Sequence, residues 1–439
     1  MNLNSKFIIT LLFIAASQLV IAQNPICPPG TYIADPSAKV FNGKLYLYGS
    51  TDVSCDHWCS WHHDVISTND MASWNFTNKV FHSKGPADQV PYNDNLLFAP
   101  DCELVNDTFY LFYCQPENIH AEGVATSTSP TGPFEKGKAI ELFGHHQFDP
   151  SCFIDDDGTA YYIWGQFSLK MAKLKPNMRE LDESTLKVDV ITEKEHFFHE
   201  GAFMTKRNGI YYLVYADISR EDKPTCLGYA TSTSPFGPYR YGGVIIDNDG
   251  SNPNNWNNHG SIAEFNNQWY VFYHRSTHGC SIMRKACVEK IEFNTDGSIP
   301  EVEMTSQGAG EPLDAEKEID AARACLLQGD LYIASDSEQN EILTNISHND
   351  KAIYKYIDFG EGVQTATIRL KAFREATIEI SAGKPWHSKL GQITVQPETN
   401  NWQTITFEVN NSVVGVHALW LQVWGEEKNL LEIDWIKFN

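Results

Sequence analysis

The sequence predicts an all-β protein, with a five-bladed β-propeller followed by a β-sandwich of the jelly-roll type. Two observations predict the propeller: a hairpin pattern occurs five times before residue 310, and a second strand pattern recurs in register with it. A third predicts the sandwich, because residues 319–439 consist of short strands with alternating hydrophobicity. Beyond the first 22 residues, no sustained helical periodicity interrupts this pattern.

Each of the five repeats combines a short polar motif, an apolar strand, a turn containing Gly, Asn or Asp, and an aromatic strand. The turn residues tolerate positive φ and the flanking Tyr, Phe, Val and Ile favour strands, so each repeat predicts a β-hairpin. The motifs recur every 48 to 66 residues, which suits four-stranded blades with variable loops. The repeats are DPSAKVFNGKLYLYGS from Asp35, APDCELVNDTFYLFYC from Ala99, DPSCFIDDDGTAYYIWG from Asp149, EGAFMTKRNGIYYLVYA from Glu200 and HGSIAEFNNQWYVFYHR from His259.

The second pattern consists of two nearly identical segments, GVATSTSPTGPF from Gly123 and GYATSTSPFGPY from Gly228. They predict equivalent later strands of two blades, and residues 67–74 resemble the same element in the first blade. The propeller is therefore predicted to span residues 23–310. Residues 311–318 follow Gly308-Ala309-Gly310 as a predicted linker, and residues 319–439 form the predicted sandwich.

The first 22 residues are typical of an export signal. Lys6 supplies the positive start, residues 7–16 are mostly apolar, and Val20-Ile21-Ala22 provides a small-residue cleavage site. The apolar run is too short to span a bilayer and no second run follows it. We therefore expect an exported protein, periplasmic or secreted, without membrane insertion.

The composition restricts the class of ligand. The formal net charge is −23 at pH 7, and so acidic a surface repels nucleic acids and anionic membranes. Aromatic residues make up 12% of the chain, which favours ring surfaces for sugars. A neutral carbohydrate is the partner that both observations allow.

The ten cysteines lack a repeated framework spacing. Cys102, Cys114 and Cys152 lie in apolar strand-like runs, which predicts buried free thiols. Cys55 and Cys59 could suggest zinc, but no second Cys or His pair at ligand spacing accompanies them. A loop lining a pocket is the favoured interpretation of that segment.

The start of each innermost propeller strand points towards the central axis, and the five repeats place Asp35, Asp101, Asp149, Glu200 and His259 there. Burying acidic groups around one axis costs free energy, so their recurrence predicts a functional site. The alternative is that individual acids cap turns, especially where Pro follows the Asp.

The motifs ADPS, FAPD, FDPS, HEGAF and NNHGS, in this order over residues 25–310, resemble those of glycoside hydrolase family 43. The resemblance implies that Asp35 is the general base and Glu200 the general acid. Asp149 would raise the pKa of Glu200 and hold it in position. Inverting hydrolysis needs such a pair of carboxyl groups on opposite faces of the sugar.

The same resemblance implies further site residues. His259 matches an axial histidine that holds a water-coordinated metal, often calcium, in some members; a hydrogen-bonded core histidine is the alternative. No cofactor is required for the chemistry. Arg284 matches an arginine that contacts the substrate, and Phe98 stands where many relatives have Trp. His63 and Trp164 are added on residue type, because aromatic faces pack against the C–H faces of sugars; packing within a blade is the alternative. The predicted substrate-binding residues are therefore Phe98, Asp101, Phe148, His63, Trp164 and Arg284.

The tail resembles a family 6 carbohydrate-binding module through YKYIDFG, NWQTITFEV and EIDWIKF. This resemblance implies that Tyr354 and Trp402 contact a sugar. Glu432 and Ala322 depart from the family's pattern, which leaves open a sandwich that only packs on the propeller.

The resulting functional hypothesis is an exported, inverting, exo-acting hydrolase that releases α-L-arabinofuranosyl or β-D-xylosyl units from plant polysaccharide or oligosaccharide. Alternatives are an exo-β-1,3-galactanase, against which Asp35 argues, and a non-catalytic glycan-binding propeller, which would have no reason to keep all three acids. Sucrose-type five-bladed hydrolases would carry Asn-Asp-Pro-Asn where this chain has ADPS.

Overall fold

The computed structural model describes residues 23–116, 121–337, 339–384, 386, 388–398, 401–410 and 413–439. Its regular structure is almost entirely β-strand, and α1 (Glu193–His196) is a single turn. The predicted propeller and sandwich are both confirmed. The predicted signal peptide, residues 1–22, lies outside the described residues. None of the helices in the described segments is long and apolar enough to cross a membrane.

Five antiparallel sheets form the propeller. The first four blades have four strands each and the fifth has three, always in chain order from the axis outwards. The strands are β1 (Ile33–Phe41), β2 (Lys44–Thr51), β3 (His62–Thr68) and β4 (Trp74–His82); β5 (Phe98–Val105), β6 (Thr108–Cys114), β7 (Glu122–Ser127) and β8 (Glu135–Ala139); β9 (Ser151–Ile154), β10 (Ala160–Trp164), β11 (Lys170–Leu174) and β12 (Leu181–Lys187); β13 (Phe198–Arg207), β14 (Ile210–Asp217), β15 (Cys226–Ser232) and β16 (Arg240–Asp247); and β17 (Ser261–Phe265), β18 (Gln268–Ser276) and β19 (Arg284–Ile291).

The first strands of the blades surround the axis. β1 contacts β5, β5 contacts β9, β9 contacts β13, β13 contacts β17, and β17 returns to β1. Each predicted hairpin supplies the first two strands of one blade, and the recurring ATSTS segments supply β7 and β15, the third strands of blades two and four. Apolar and aromatic side chains fill the space between neighbouring blades, which holds the ring together.

The beginning of the described chain completes the fifth blade. The Ile26 amide donates to the Ala286 carbonyl at 3.0 Å, and the Asn24 side chain bonds both the amide and the carbonyl of Val288. This segment therefore runs along β19 at the edge that a fourth strand occupies in the other blades.

The C-terminal domain is a sandwich of two six-stranded sheets around a single apolar core. The predicted linker is not purely a connector, because residues 313–314 pair in parallel with a strand of the first sheet. That sheet contains β20 (Leu313–Asp314), β22 (Leu326–Gln328), β25 (Lys351–Asp358), β27 (Ala376–Ala382), β28 (Lys389–Val395) and β30 (Val416–Trp424). The second contains β21 (Ile319–Asp320), β23 (Tyr332–Ser337), β24 (Asn340–Ile346), β26 (Thr365–Ala372), β29 (Gln403–Glu408) and β31 (Leu431–Phe438).

Buried polar contacts join the sandwich to the fifth blade. The Lys285 ammonium donates to both carboxylate oxygens of Glu341 at 2.6 and 2.5 Å, and the Tyr32 hydroxyl donates to the same carboxylate at 2.9 Å. Lys285 is 1% exposed and Glu341 is 5% exposed, so this ion pair is sealed inside the junction.

One disulfide, Cys55–Cys280, connects a loop of the first blade to a loop of the fifth. A sequence separation of 225 residues leaves no local pattern that could have revealed it. Cys102, Cys114 and Cys152 are buried and free, as predicted.

Candidate active site

A cavity of about 420 Å³ lies where the innermost strands begin. It brings together the three predicted catalytic acids, the predicted Arg284, and the predicted ring residues Phe98 and Phe148. The lining residues are Asp35, Trp58, Cys59, Phe98, Phe148, Asp149, Gln166, Phe167, His199, Glu200, Trp256, Asn257 and Arg284.

Backbone irregularities at the strand starts turn the acids into this cavity. Asp35 and Asp149 have φ values of 52° and 61°, in the left-handed region that few non-glycine residues adopt. The register of β1 shifts just after Ala34, and that of β13 shifts on both sides of Glu200. Bulges of this kind re-aim side chains, and backbone strain of this kind is concentrated at functional sites.

Asp35 is held on both of its carboxylate oxygens. Arg284 donates to Oδ1 at 2.8 Å and the Ser50 hydroxyl donates to Oδ2 at 2.6 Å. The Asp35 amide donates to Nδ1 of the buried His274 at 3.1 Å, so this ring accepts at that nitrogen. His274 in turn points Nε2 at the Asn257 carbonyl at 3.1 Å.

The charge environment keeps Asp35 ionised. Burial alone would raise the pKa of Asp35, but the positive charge of Arg284, followed by the smaller contributions of His259 and His274, lowers it to about 2. Asp52 fixes Arg284 from behind, because it accepts from Nε, Nη2 and the backbone amide at 2.9 Å each. The carboxylate of Asp35 is therefore fixed in position and negatively charged throughout the physiological pH range.

Asp149 and Glu200 differ in exposure. Asp149 is buried, and its burial, together with the charges of Glu200 and Asp35, raises its pKa well above the usual range. Glu200 is partly exposed to the cavity, and Gln166 Nε2 donates to its Oε2 at 2.9 Å. Burial, reinforced by repulsion from the neighbouring carboxyl groups, therefore favours the protonated form of Asp149 beside Glu200.

His259 lies on the axis beneath these acids. Its Nδ1 is 3.5 Å from Asp35 Oδ1 and 3.9 Å from Asp149 Oδ2, and burial lowers its pKa. Gly201 packs on the ring so closely that a Cβ at this position would lie 2.7 Å from it, and its φ of 65° also favours glycine.

The channel along the propeller axis, beside His259, is too small for the calcium ion that the family resemblance allowed. The axial cavity beside His259 measures about 10 Å³, room for about one water and not for a hydrated ion. A cation is already present, since the Lys39 ammonium lies 3.1 Å from Asp101 Oδ2 and 2.6 Å from Glu103 Oε1. The described residues contain no group of three or more His, Cys, Asp or Glu able to hold a metal.

Asp101 lies in this channel and not in the cavity. The register shifts align Ala99 with Asp35 and Asp149, so Asp101 occupies the position of Ser37, two residues deeper. Ser37 donates to its Oδ1 at 2.5 Å and the Cys152 amide donates to its Oδ2 at 2.7 Å. The position of Asp101 therefore gives no support to the predicted substrate contact. Its hydrogen bonds instead connect the first three blades.

Two other predicted pocket residues lie inside the blades. His63 is fully buried and stacks on Phe81, with ring centroids 6.4 Å apart. Trp164 is fully buried and donates its indole N–H to the His145 carbonyl at 2.8 Å. Neither lines the cavity, so their sugar contacts remain unsupported.

The structure also does not support the two sugar contacts predicted in the sandwich. Tyr354 is buried in the sandwich core and its hydroxyl donates to the Ala321 carbonyl at 3.0 Å, so it offers no surface to a ligand. Trp402 is half-buried, and its ring is covered by the ammonium of Lys371 at 4.5 Å and the guanidinium of Arg369 at 5.1 Å. The structure therefore does not bring the two rings together as a clamp.

Several site residues gave little or no signal in the sequence. Asp52 follows a strand without any recurring motif, and its role becomes visible only through its three bonds to Arg284. Phe167 and Trp256 are 48% and 46% exposed and line the cavity from loops. His199 could have been identified from the sequence, because it precedes Glu200 in the HEGAF motif.

An ionised carboxylate and further carboxyl groups that face one cavity are the groups that glycoside hydrolysis uses. The comparison with known families agrees: residues 22–299 match the family model of glycosyl hydrolases family 43, and the chain belongs to that family. Residues 327–439 match the carbohydrate binding module (family 6).

Named relatives cover most of the chain. A xylosidase/arabinosidase of Thermoclostridium stercorarium is 29% identical over 92% of this chain and 96% of its own length. An arabinoxylan arabinofuranohydrolase of Bacillus subtilis is 26% identical over 92% and 90%. The crystal structure of a family 43 β-xylosidase/α-arabinofuranosidase from a compost metagenome, in complex with xylotriose, is 27% identical with a TM-score of 0.55, covering 64% of this chain and 98% of that one.

Proposed function

We propose that this protein is an inverting, exo-acting hydrolase that releases single α-L-arabinofuranosyl or β-D-xylosyl units from plant polysaccharides or oligosaccharides. The observation that carries the proposal is the gathering of Asp35, Asp149 and Glu200 in one cavity, with Arg284 fixing the first of them. The names of the relatives, which act on xylosides and arabinosides, support the choice of sugar.

The proposed chemistry uses each acid according to its environment. Asp35, ionised and fixed by Arg284 and Ser50, takes a proton from a water molecule as that water attacks the anomeric carbon. Glu200, positioned by Gln166, gives its proton to the leaving oxygen as the glycosidic bond breaks. Attack from the face opposite the leaving group inverts the anomeric configuration, and Asp149 keeps a proton available beside Glu200.

The shape of the cavity supports release of one terminal sugar. The axial cavity beside His259 measures only about 10 Å³, so a polysaccharide chain cannot pass along the propeller axis. The larger cavity carries the acids, and Phe98 and Phe148 offer ring faces for the C–H groups of a sugar. The chemistry needs water and carboxyl groups only, and we derive no step through a metal.

The decisive experiment follows the anomeric protons by NMR while the protein digests arabinose-substituted xylan and xylo- or arabino-oligosaccharides. We expect a single pentose whose first-formed anomer is inverted. Glu200→Gln should lower kcat by about 10²- to 10⁴-fold without unfolding the protein. The exposed Glu264→Gln serves as the matched control. Galactose release from β-1,3-galactan would favour the galactanase alternative, and binding without any release would favour a lectin-like propeller.

Export and sugar binding by the sandwich are part of the proposal. The signal-like first 22 residues support export, and so does the Cys55–Cys280 disulfide, because disulfides persist in oxidising compartments. The match of residues 327–439 to a carbohydrate binding module supports a sandwich that binds the same polysaccharide.

A further inference from the structure

Two exposed tryptophans stand at the cavity. Trp58 is 36% exposed and Trp256 is 46% exposed, and both line the space that holds the acids. The Trp58 ring also lies over the Arg284 guanidinium at 4.8 Å. Exposed rings beside a sugar site are available to stack on the sugar unit next to the one that reacts.

The loop that carries Trp58 is fixed at its ends and tied at its tip by the disulfide. Asp52 and Cys59 both accept hydrogen bonds from Arg284, which anchors the ends of residues 52–60. At the tip, the described hydrogen bonds are local, between Ser54 and Asp56 and within residues 57–58. The Cys55–Cys280 disulfide supplies the tip's covalent tie to the fifth blade.

The loop that carries Trp256 is tied to the same segment of the fifth blade. Asn254 Nδ2 donates to the Gly279 carbonyl at 2.6 Å. The Gly279 amide donates to Asn252 Oδ1 at 3.1 Å, and Asn252 Nδ2 donates to the Cys280 carbonyl at 3.2 Å. Residues 277–281, which we call the hub segment, thus hold both tryptophan-bearing loops.

The sandwich holds the other side of the hub segment. The His278 amide donates to the Ile333 carbonyl at 2.6 Å, and the Ser335 amide donates to His278 Nε2 at 3.3 Å. The Tyr332 ring covers Gly279 so closely that a Cβ there would lie 2.9 Å from it. These three sandwich residues all belong to β23, so one strand of the second domain fixes the hub.

We propose that β23 of the sandwich positions both tryptophans through the hub segment, and that Trp58 and Trp256 bind the sugar unit next to the one that is cleaved. This inference rests on the proposed function. The C-terminal domain then shapes the substrate site through the protein, in addition to any sugar that it binds on its own surface. Asn252, Asn254, Cys55 and Cys280 are positioning residues in this scheme.

The test distinguishes binding of the sugar unit that reacts from binding of the unit next to it. Wild-type protein, Cys55→Ala/Cys280→Ala and Asn254→Ala are assayed on xylotriose or an arabino-oligosaccharide, and on the corresponding pentosyl fluoride, which carries no neighbouring sugar. We expect KM for the oligosaccharide to rise about 2- to 10-fold in both variants, the equivalent of one stacked ring, with kcat little changed. kcat/KM on the fluoride should stay within about twofold of wild type.

Two comparisons complete the experiment. Asn294→Ala, which removes a loop hydrogen bond to Ser298 on the same blade, should change neither substrate's kinetics. Trp256→Ala should raise KM for the oligosaccharide at least as much as Asn254→Ala does. Unchanged oligosaccharide KM in both positioning variants, or equal losses on both substrates, would overturn the inference while leaving the hydrolase intact. A wild-type protein that cleaves neither substrate would overturn the proposed function itself.

Discussion

Replacing Arg284 by Met should move the acidic limb of the kcat/KM profile upwards. Arg284 makes the largest of the contributions that lower the pKa of Asp35 to about 2, whereas burial raises this pKa. Without the guanidinium, the pKa of Asp35 should return at least to the ordinary aspartate value of about 3.9. The proposed general base would then be protonated as the pH falls through about 4, so the limb should rise by about 2 pH units or more.

The substitution has a second consequence, for stability. Asp52 is 2% exposed and receives three hydrogen bonds from Arg284, so Arg284→Met leaves a buried carboxylate without its cation. Such a loss lowers the free energy of unfolding by about 3–5 kcal/mol. Asp52→Asn/Arg284→Met removes that charge as well and should recover much of the loss, which provides a folded background for the kinetics.

The assay is kcat/KM for a pentosyl substrate between about pH 3 and pH 7 in wild type, Asp52→Asn and the double variant. The limb set by a pKa of about 2 lies below this range in the wild type, whereas that of the double variant should fall inside it. Tryptophan fluorescence at each pH confirms that the protein is folded. An acidic limb that stays in place in a folded double variant would refute the argument that Arg284 sets the protonation of Asp35. Asp52→Asn keeps the Arg284–Asp35 ion pair, so its limb should remain near that of the wild type.

Three further predictions concern buried groups. Glu341→Gln leaves the Lys285 ammonium buried without its counter-charge and should lower the free energy of unfolding in urea by about 3–5 kcal/mol. Lys39→Met leaves the carboxylates of Asp101 and Glu103 without their cation and should lower the free energy of unfolding in urea by a similar amount. Tyr354→Phe removes only the hydrogen bond to Ala321, so it should cost about 1 kcal/mol and leave oligosaccharide affinity, measured by calorimetry, unchanged.

Each of these has its own control. Lys285→Met/Glu341→Gln should recover much of the stability lost in the single variant, and an unchanged urea midpoint in Glu341→Gln would contradict a sealed ion pair. Lys39→Arg keeps the charge and should lose less than Lys39→Met does. A clear drop in sugar affinity in Tyr354→Phe would contradict its place in the sandwich core.

The recurring pattern was sufficient to predict the blades. Apolar and aromatic alternation with a turn every blade is a local property, so the five hairpins appear in sequence and in structure at the same residues. The motifs also marked Asp35, Asp149 and Glu200, which the fold brings into one cavity. Sequence alone could do this because the first strand of every blade necessarily faces the axis.

The sequence did not predict which residue of each motif faces the cavity. FAPD and ADPS look alike, but their bulges align Ala99 with Asp35, and Asp101 falls two residues deeper, where it bonds Ser37. His63 and Trp164 were chosen because their residue types suit a sugar pocket. Whether such a side chain faces the cavity or a neighbouring blade depends on packing between sheets, which composition does not encode.

By itself the sequence determined the number of blades, the change to a sandwich and the placement of three acids at the starts of innermost strands, because these depend on residues close together in the chain. The tertiary structure alone decided which cation fixes Asp35 and that Cys55 meets Cys280. Those contacts join residues more than two hundred positions apart. Their geometry is set by the closing of the ring and the docking of the second domain, and no local pattern records either.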